Sequence, residues 1–411
     1  MLVNSTLDLE QVINLVMEKA QAVMNAEASS VLQFNERTGF LECEVALGDA
    51  GDVTKQTLRL KMGEGIAGWV AETGESLNVP DVSADKRFAQ KVDNATGFVT
   101  RSILAVPLKV RNKLIGVAEV INRIDGRPFD EYDLELFSTF CRQVALAIDN
   151  ARIHQSLLDQ QKFRQELEAA RIIQESFIPQ NAPSCPNNRF QISARSMPAS
   201  SVGGDLYDFI EFGADKLGIV IGDVSGKGIP AALYMARLIS DFRFHTQIEE
   251  APENTFFAVN NLLVERGRRG MFVTLLYLVL DANTGEVTIL NAGHVPVLHI
   301  NGETFQSRAI DKKVGVPLGI LANAEFQTHR LQLQPKDKLV CFTDGLIEAK
   351  NDAGERYSLS RLLRQLKKGW KSPEDAVKKT ISEIEAFAGK TPQHDDLTVV
   401  ALEWNGIPAS N

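Results

Sequence analysis

Four short segments in the second half of the chain place an aspartate at the end of an apolar run. They are GGDLYD (203–208), GIVIGDVSGKG (218–228), LVCFTDGLIEA (339–349) and HDDLTVVALE (394–403). Each apolar run predicts a β-strand, which fixes the backbone and holds the carboxylate rigidly. A single aspartate at a strand end is usually a turn former or a helix N-cap. Four such ends in one domain predict carboxylates that can converge on one site.

Carboxylates gathered a few ångströms apart force one another to take up protons unless cations compensate their charge. The segments carry no cluster of lysine or arginine, and Lys227 is the nearby cationic candidate. Bound divalent cations are therefore the natural compensation. Because the ligands are all oxygen atoms, the pattern favours Mg²⁺ or Mn²⁺ over zinc.

The segment GDVSGKG (222–228) follows a strand and precedes a helix, as a phosphate-binding P-loop does. Its spacing excludes that motif, because three residues separate Gly222 from Gly226 where the motif needs four. Gly228 also stands where the motif has a magnesium-binding Ser or Thr.

The elements around these segments alternate between strands and helices. FVTLLYLVLD (272–281), the turn ANTG and EVTILNAG (286–293) predict a buried hairpin of long strands. Amphipathic helices are predicted at Pro230–Gln247 and Glu253–Arg266, and two more around Ser360 and Glu374. This second half therefore has the alternation of a mixed α/β (α+β) domain.

Seven blocks then occur in an order that resembles one protein family. They are VGGDLYDF, GDVSGKGIPAAL, FVTLLYLVLD, LNAGHVPVL, GVPLGI, FTDGLIEA and DDLTVVAL, preceded by the helical lead-in ARIIQESFIP. Together they span nearly all of residues 165–405 and resemble the PPM-type (PP2C-like) metal-dependent protein phosphatases, in the bacterial sporulation stage II protein E and sigma-factor regulation branch. The resemblance implies an α-β-β-α sandwich with two metal ions between its sheets.

The resemblance also implies a ligand set of four aspartates and one carbonyl group. Asp205 and Asp223 would hold one Mg²⁺ or Mn²⁺ ion together with the backbone carbonyl of Val224, and Asp223 would bridge both ions. Asp344 and Asp395 would hold the second ion. These residues form the implied catalytic centre.

Three further polar residues in the blocks have two interpretations each. Asp208 and Asp396 are candidates to support the metal ligands through hydrogen bonds, or to cap and bond turns. His294 is a candidate for the site, although a single histidine in an apolar strand region is more often a core residue.

The function that the resemblance implies is the dephosphorylation of phosphoserine or phosphothreonine in a protein by a metal-activated water. The implied substrate is an anti-sigma-factor antagonist of a partner-switching pathway. Two alternatives stay open. One is a catalytically inert scaffold that binds the antagonist or an anti-sigma factor, and the other is a metal-dependent hydrolase of a small phosphorylated molecule.

A helical segment separates the two halves of the chain. Residues 130–177 contain neither glycine nor proline, and three prolines follow within FIPQNAPSCP. Phe163, Leu167, Ala170, Ile173 and Phe177 recur at three and four residues, which is the spacing of a coiled-coil seam. The segment is therefore predicted to pair in a homodimer, or else to pack on its own domain. The paired form would transmit a signal to the helix that begins near Ile229.

Residues 8–150 resemble a GAF sensor domain. The resemblance is carried by GEGIAGWVAETGESLNVPDV (63–82), RSILAVPLKVRNKLIGVAEVINR (101–123) and FDEYDLELFSTFCRQVALAIDNA (129–151). GAF domains that bind cyclic nucleotides carry an Asn-Lys…Phe-x3-Asp-Glu signature, which this chain matches in part with Asn122, Arg123, Phe129 and Asp133. Leu134 stands where the glutamate would be, and pairing of Arg123 with Asp133 would support the fold alone. The GAF ligand therefore stays unknown.

Composition limits the partners and the compartment. The net charge of −9 argues against a broad nucleic-acid interface. The four cysteines are far apart, which predicts neither a disulfide framework nor a zinc site and fits a reducing cytoplasm. The chain shows no apolar run of membrane-spanning length, so no membrane is expected. The predicted organisation is a GAF domain at 1–150, a helical linker at 151–180 and a phosphatase domain at 181–411.

Overall fold

The computed structural model divides the chain into two compact units, residues 1–163 and 164–411. The residues that it describes are 5–49, 51–89, 93–94, 97–185, 188–213, 215–249, 251–266, 270–311 and 314–406. No helix in these ranges is both long and apolar enough to span a bilayer. The predicted boundaries at 150 and 180 stay predictions.

The first unit is built on one six-stranded sheet with strand order β3-β2-β1-β6-β5-β4. Its strands are β1 (Ala26–Asn35), β2 (Phe40–Leu47), β3 (Arg59–Lys61), β4 (Leu77–Val79), β5 (Ile103–Val110) and β6 (Lys113–Arg123). The helices α1 (Ser5–Val23), α2 (Gly51–Thr57) and α3 (Gly65–Thr73) and a 3₁₀ turn (Val82–Ala84) also belong to this unit. Alternate strand residues face opposite sides, so one apolar core includes Ile13 of α1 and the other Val70 of α3.

The residues of the partial cyclic-nucleotide signature support this sheet. Arg123 donates from Nη1 to Asp133 Oδ2 at 2.7 Å, which confirms the pairing predicted from the sequence. Asn122 is 1% exposed, and its Oδ1 accepts from the backbone N–H groups of Arg101 and Ser102. These side chains therefore form hydrogen bonds with other residues of the first unit.

A single helix, α4 (Glu131–Glu175), follows the first sheet and continues into the second unit. Straight-chain residues dominate its second half, and the helix ends before the prolines that cannot continue it. Along the predicted seam Phe163 is 56% exposed and Ile173 is 61% exposed. The coiled-coil pairing of this seam stays a prediction.

The described residues of the second unit form two sheets and five helices after α4. Its strands are β7 (Phe190–Met197), β8 (Asp205–Phe212), β9 (Lys216–Val224), β10 (Val273–Asp281), β11 (Glu286–Ala292), β12 (Val297–Ile300), β13 (Ser307–Ile310), β14 (Val314–Gly315), β15 (His329–Gln332), β16 (Lys338–Phe342) and β17 (Leu397–Trp404). Its helices are α5 (Ile229–Ile248), α6 (Pro252–Arg266), α7 (Asp344–Glu348), α8 (Leu359–Leu366) and α9 (Pro373–Ala388).

These elements form four layers. One sheet has the order β14-β11-β10-β9-β8, with β15 paired to β11, and the other has the order β13-β12-β16-β17-β7. Ile219 and Ile221 of β9 face a core shared with the second sheet, whereas Val220 faces the core beneath α5 and α6. A third core packs α8 and α9 on the outer face of the second sheet. The predicted α-β-β-α sandwich and the mixed α/β fold class are confirmed.

Candidate metal centre

Asp205 and Asp223 lie directly opposite each other on the neighbouring antiparallel strands β8 and β9. Asp205 is 5% exposed, and its Oδ2 accepts hydrogen bonds from Thr343 Oγ1 and Thr398 Oγ1, each at 2.7 Å. Burial and then the charge of Asp223 raise the pKa of Asp205 well above its ordinary value. The two hydroxyl contacts therefore hold the Asp205 carboxylate in one orientation.

Asp223 interacts electrostatically with the other predicted ligands. Its pKa is raised to about 7, first by burial and then by the charges of Asp344 and Asp395. Next to it, the carbonyl oxygen of Val224 approaches the backbone of β8 so closely that a Cβ added to Gly204 would lie 2.8 Å from it. A glycine at position 204 therefore lets the two strand ends meet.

Asp344 and Asp395 lie on the segments that border the second sheet. Asp344 begins α7 directly after β16, and burial followed by the charge of Asp395 raises its pKa. The side chain of Asp395 is 47% exposed, and its Oδ2 lies 3.2 Å from Lys227 Nζ. Lys227 thus compensates part of the negative charge, as its place in the sequence indicated.

The donors fit a hard divalent cation in chemistry. Four carboxylates and one backbone carbonyl are all oxygen donors, which suit Mg²⁺ or Mn²⁺. Among the described residues, no three Asp, Glu, His or Cys side chains form a ready-made ligand group. The charges of neighbouring carboxylates contribute to the raised pKa values of Asp205, Asp223 and Asp344. The assignment of Asp205, Asp223, Val224, Asp344 and Asp395 as ligands stays a prediction.

Asp396 supports the segment that carries Asp205. Its Oδ2 accepts from the backbone N–H of Gly204 at 2.7 Å, and its Oδ1 accepts from the N–H of Ala199 at 2.8 Å. A Cβ added to Gly203 would lie 2.3 Å from Asp396 Oδ2. Asp396 therefore shapes the turn before β8.

Asp208 has a different neighbour. It is 2% exposed, and both of its oxygens accept from Arg243 of α5, at 2.6 and 2.8 Å. Because it lies three positions after Asp205, it points to the opposite face of β8. Its carboxylate therefore links the sheet to α5.

His294 connects the two sheets. Its Nδ1 is 2.9 Å from the hydroxyl of Thr274 on β10, and its Nε2 is 3.1 Å from the carbonyl oxygen of Phe342 on β16. Burial lowers its pKa to about 4, so the ring is neutral at pH 7. A neutral ring that donates from Nε2 and accepts at Nδ1 satisfies both contacts. The geometry agrees with the structural role that the sequence favoured.

Sequence reasoning missed the two threonines that hold Asp205. Thr343 and Thr398 are both fully buried, and the N–H of Thr398 also donates to Thr343 Oγ1. Each lies within a block that the sequence singled out, FTDGLIEA or HDDLTVVALE. The signal available in the sequence was a threonine within or next to an apolar strand.

A second missed residue, Gln174, joins the end of α4 to the candidate centre. Its Nε2 donates to the carbonyl oxygen of Gly203 at 2.6 Å, and its Oε1 accepts from the N–H of Gly203 at 3.2 Å. Nearby, Arg243 also donates to the carbonyl oxygen of Phe177 at 3.0 Å. The last turn of α4 is therefore bound to the residue two positions before Asp205.

Two family models match the chain. Residues 8–148 match the GAF domain, and residues 213–405 match Stage II sporulation protein E (SpoIIE). Asp205 lies outside the second match, whereas the other four predicted ligands lie inside it.

Curated relatives and a solved structure are also similar to this chain. Protein IcfG of Synechocystis sp. is 30% identical over 59% of this chain and 42% of that protein. Phosphoserine phosphatase RsbU of Bacillus subtilis is 27% identical over 61% of this chain and 73% of that protein. The SiaA-PP2C domain of Pseudomonas aeruginosa aligns with a TM-score of 0.52 at 18% identity, over 60% of this chain and 98% of that domain. The chain thus spans less than half the length of IcfG, and the SiaA likeness establishes the fold.

Proposed function

Because this chain joins a GAF domain to a PP2C-like domain of the stage II sporulation protein E family, we propose that it is a metal-dependent protein serine/threonine phosphatase regulated by its GAF domain. The observation that carries the proposal is that four aspartates lie at or near strand ends of the two facing sheets. Asp205 and Asp223 are opposite each other in register, and the charges of Asp344 and Asp395 act on Asp223.

The chemistry needs cations that the aspartates would hold. Two Mg²⁺ or Mn²⁺ ions would supply a hydroxide nucleophile near neutral pH by lowering the pKa of water. Asp205, Asp223, Asp344, Asp395 and the carbonyl of Val224 would bind them. Thr343 and Thr398 orient the carboxylate of Asp205 through the two hydroxyl contacts. Hydrolysis consumes one water and yields inorganic phosphate and the free hydroxyl side chain.

The proposed substrate is a phosphoserine on an anti-sigma-factor antagonist protein. The relative RsbU carries the name phosphoserine phosphatase, which supports this class of substrate. We place the protein in the cytoplasm, because all four cysteines are unpaired thiols, as in a reducing compartment.

Phosphate release from phosphoserine proteins in the presence of Mn²⁺ tests the proposal. We expect Asp344→Asn to lower the rate at least about 10²-fold, because it removes one proposed ligand of the second ion. Asp281→Asn is the matched control, since this aspartate lies at the far end of β10 and accepts turn N–H groups that asparagine can also bind.

Three other outcomes would contradict the proposal. Equal rates for the parent and Asp344→Asn would refute the ligand assignment. Binding of the phosphoprotein without any phosphate release by the parent would favour the inert scaffold. Faster hydrolysis of small phosphate esters, with no competition by phosphoprotein, would favour the small-molecule hydrolase.

Regulation is proposed to run through paired α4 helices in a homodimer. The exposed apolar side chains of Phe163 and Ile173 support such a seam. A signal at the GAF domain would change the pairing, and the contacts of Gln174 and Arg243 would carry the change to the turn before Asp205 and to α5.

A double substitution tests the seam. We expect Phe163→Glu with Ile173→Glu to convert a dimer to a monomer, because like charges would face each other across the seam. Ile172→Glu is the control, since Ile172 is equally exposed at 59% and lies off the seam. Light scattering on the full chain measures the molar mass of the parent, the double variant and the control. A double variant that is still a dimer would contradict pairing through this seam.

A further inference from the structure

A cavity of about 90 Å³ lies in the first unit, between the sheet and the helices α2 and α3. Its walls are mostly apolar and include Leu60, Ile66 and Phe98, with Thr100 as a polar neighbour. Binding sites for small molecules commonly combine an apolar wall with a few placed polar groups. The feature that distinguishes this cavity is a buried carboxyl group, Glu119.

Glu119 lies on β6 opposite Ser30 of β1 and is 7% exposed. Its Oε2 accepts a hydrogen bond from Ser30 Oγ at 3.0 Å, which leaves Oε1 as the oxygen that a ligand would meet. Burial raises the pKa of Glu119 to about 7, because water no longer stabilises its charge. In the described part of the chain, no lysine or arginine forms an ion pair with Glu119.

The second carboxyl group at the cavity already has partners. Asp93 accepts from the N–H of Thr100 at 2.9 Å and from its hydroxyl at 2.7 Å. The described lining residues include both carboxyl groups and neither lysine nor arginine. These two carboxyl groups disfavour an anionic ligand beside them and favour a cation, because a buried carboxylate is stabilised by an opposite charge.

We propose that this cavity binds a small ligand that places a cationic, N–H-donating nitrogen against Glu119 and an apolar body against Ile66 and Phe98. The ligand class is a compact amine or amidine. A phosphate-bearing cyclic nucleotide would bring negative charge to the same two carboxyl groups. The binding itself does not depend on phosphatase activity, so it is measured separately from the proposed function.

Ligand-observed NMR and calorimetry on the full chain test the inference with named probes. Isobutylamine and acetamidine are compared with isobutanol, isobutyrate, cyclic AMP and cyclic GMP. We expect the amine and the amidine to bind, and the alcohol and the two classes of anion to bind at least about ten-fold more weakly, because they lack a charge-assisted hydrogen bond to the carboxylate.

Substitution of the carboxyl group completes the test. We expect Glu119→Gln to weaken amine binding at least about ten-fold while keeping an acceptor for the Ser30 hydroxyl. Glu42→Gln, at a partly exposed glutamate outside the cavity lining, is the control. If Glu119→Gln does not fold, Glu119→Met offers an uncharged side chain of similar volume.

The inference is overturned if the parent binds neither the amine nor the amidine, or if isobutanol binds as tightly as isobutylamine. Amine binding that is unchanged in Glu119→Gln would overturn it too, as would selective binding of a cyclic nucleotide. Each of these results leaves the phosphatase proposal intact, because its own readout is phosphate release.

Discussion

An Asp223→Asn protein is expected to lose at least about 10³-fold of its Mn²⁺-dependent phosphatase activity and, without divalent cations, to be more stable than the parent. The two effects have one cause. Asp223 lies where burial and the charges of Asp344 and Asp395 all oppose its ionisation. A neutral amide removes this repulsion, but it also removes the carboxylate proposed to bridge both ions. The activity loss corresponds to several kcal/mol of transition-state stabilisation.

The stability effect depends on pH with a defined sign. The carboxyl group of Asp223 has an ordinary pKa of 3.8 and a pKa of about 7 in the folded chain. Between these values the folded chain holds a proton that the unfolded chain has released, so stability falls as the pH rises through this window. The amide of the substituted asparagine does not titrate. The advantage of the variant is therefore absent below a pH of about 4 and complete above a pH of about 7.

Thermal unfolding at pH 5 and pH 8, with a chelator and then with Mn²⁺, measures the effect. At pH 8 in chelator we expect the variant to be more stable by about 1 kcal/mol or more, since one pKa unit corresponds to about 1.36 kcal/mol. Mn²⁺ should stabilise the parent more than the variant, because a ligand stabilises the state that binds it. Asp281→Asn should follow the parent throughout. A variant less stable than the parent at pH 8 in chelator would contradict the assignment of a mutually repelling cluster.

The sequence predicted the elements that position the candidate centre better than it predicted the contacts within it. A run of apolar residues is a local signal, so β8, β9 and the hairpin of β10 and β11 could be predicted directly. The same logic places Asp205 and Asp208 on opposite faces of β8, because they lie three positions apart. Only the tertiary structure shows that Arg243 binds Asp208.

The contacts that were missed join residues far apart in the chain. Thr343 and Thr398 reach Asp205 across 138 and 193 positions, and Gln174 of α4 reaches Gly203 in the turn before β8. Single-sequence periodicity carries no information on such pairs. Glu119 was missed for a related reason. That no described lysine or arginine forms an ion pair with it depends on which strands pair with β6. Polar residues within otherwise buried runs are therefore the positions to inspect first.

Gln174→Ala is expected to raise the Mn²⁺ concentration needed for half-maximal activity by about 10- to 100-fold, which is typical when a residue that orients a metal ligand is lost. Both backbone groups of Gly203 are held by this one amide, at 2.6 and 3.2 Å. Without it, the turn before Asp205 is free to shift, and a buried donor and acceptor lose their partners. The latter costs about 1–3 kcal/mol of stability.

The dependence of activity on Mn²⁺ concentration distinguishes a positioning role of Gln174 from a purely structural one. If Gln174 positions the ligand, saturating Mn²⁺ should restore most of the rate in Gln174→Ala, and GAF-dependent regulation should weaken with it. Gln180→Ala is the matched control, because Gln180 is exposed and donates to the helix end at Glu175 rather than to Gly203. A lower melting temperature with an unchanged Mn²⁺ curve would mean that the contact only stabilises the fold. In that case the path from α4 to the candidate centre would depend on Arg243, which contacts both Phe177 and Asp208.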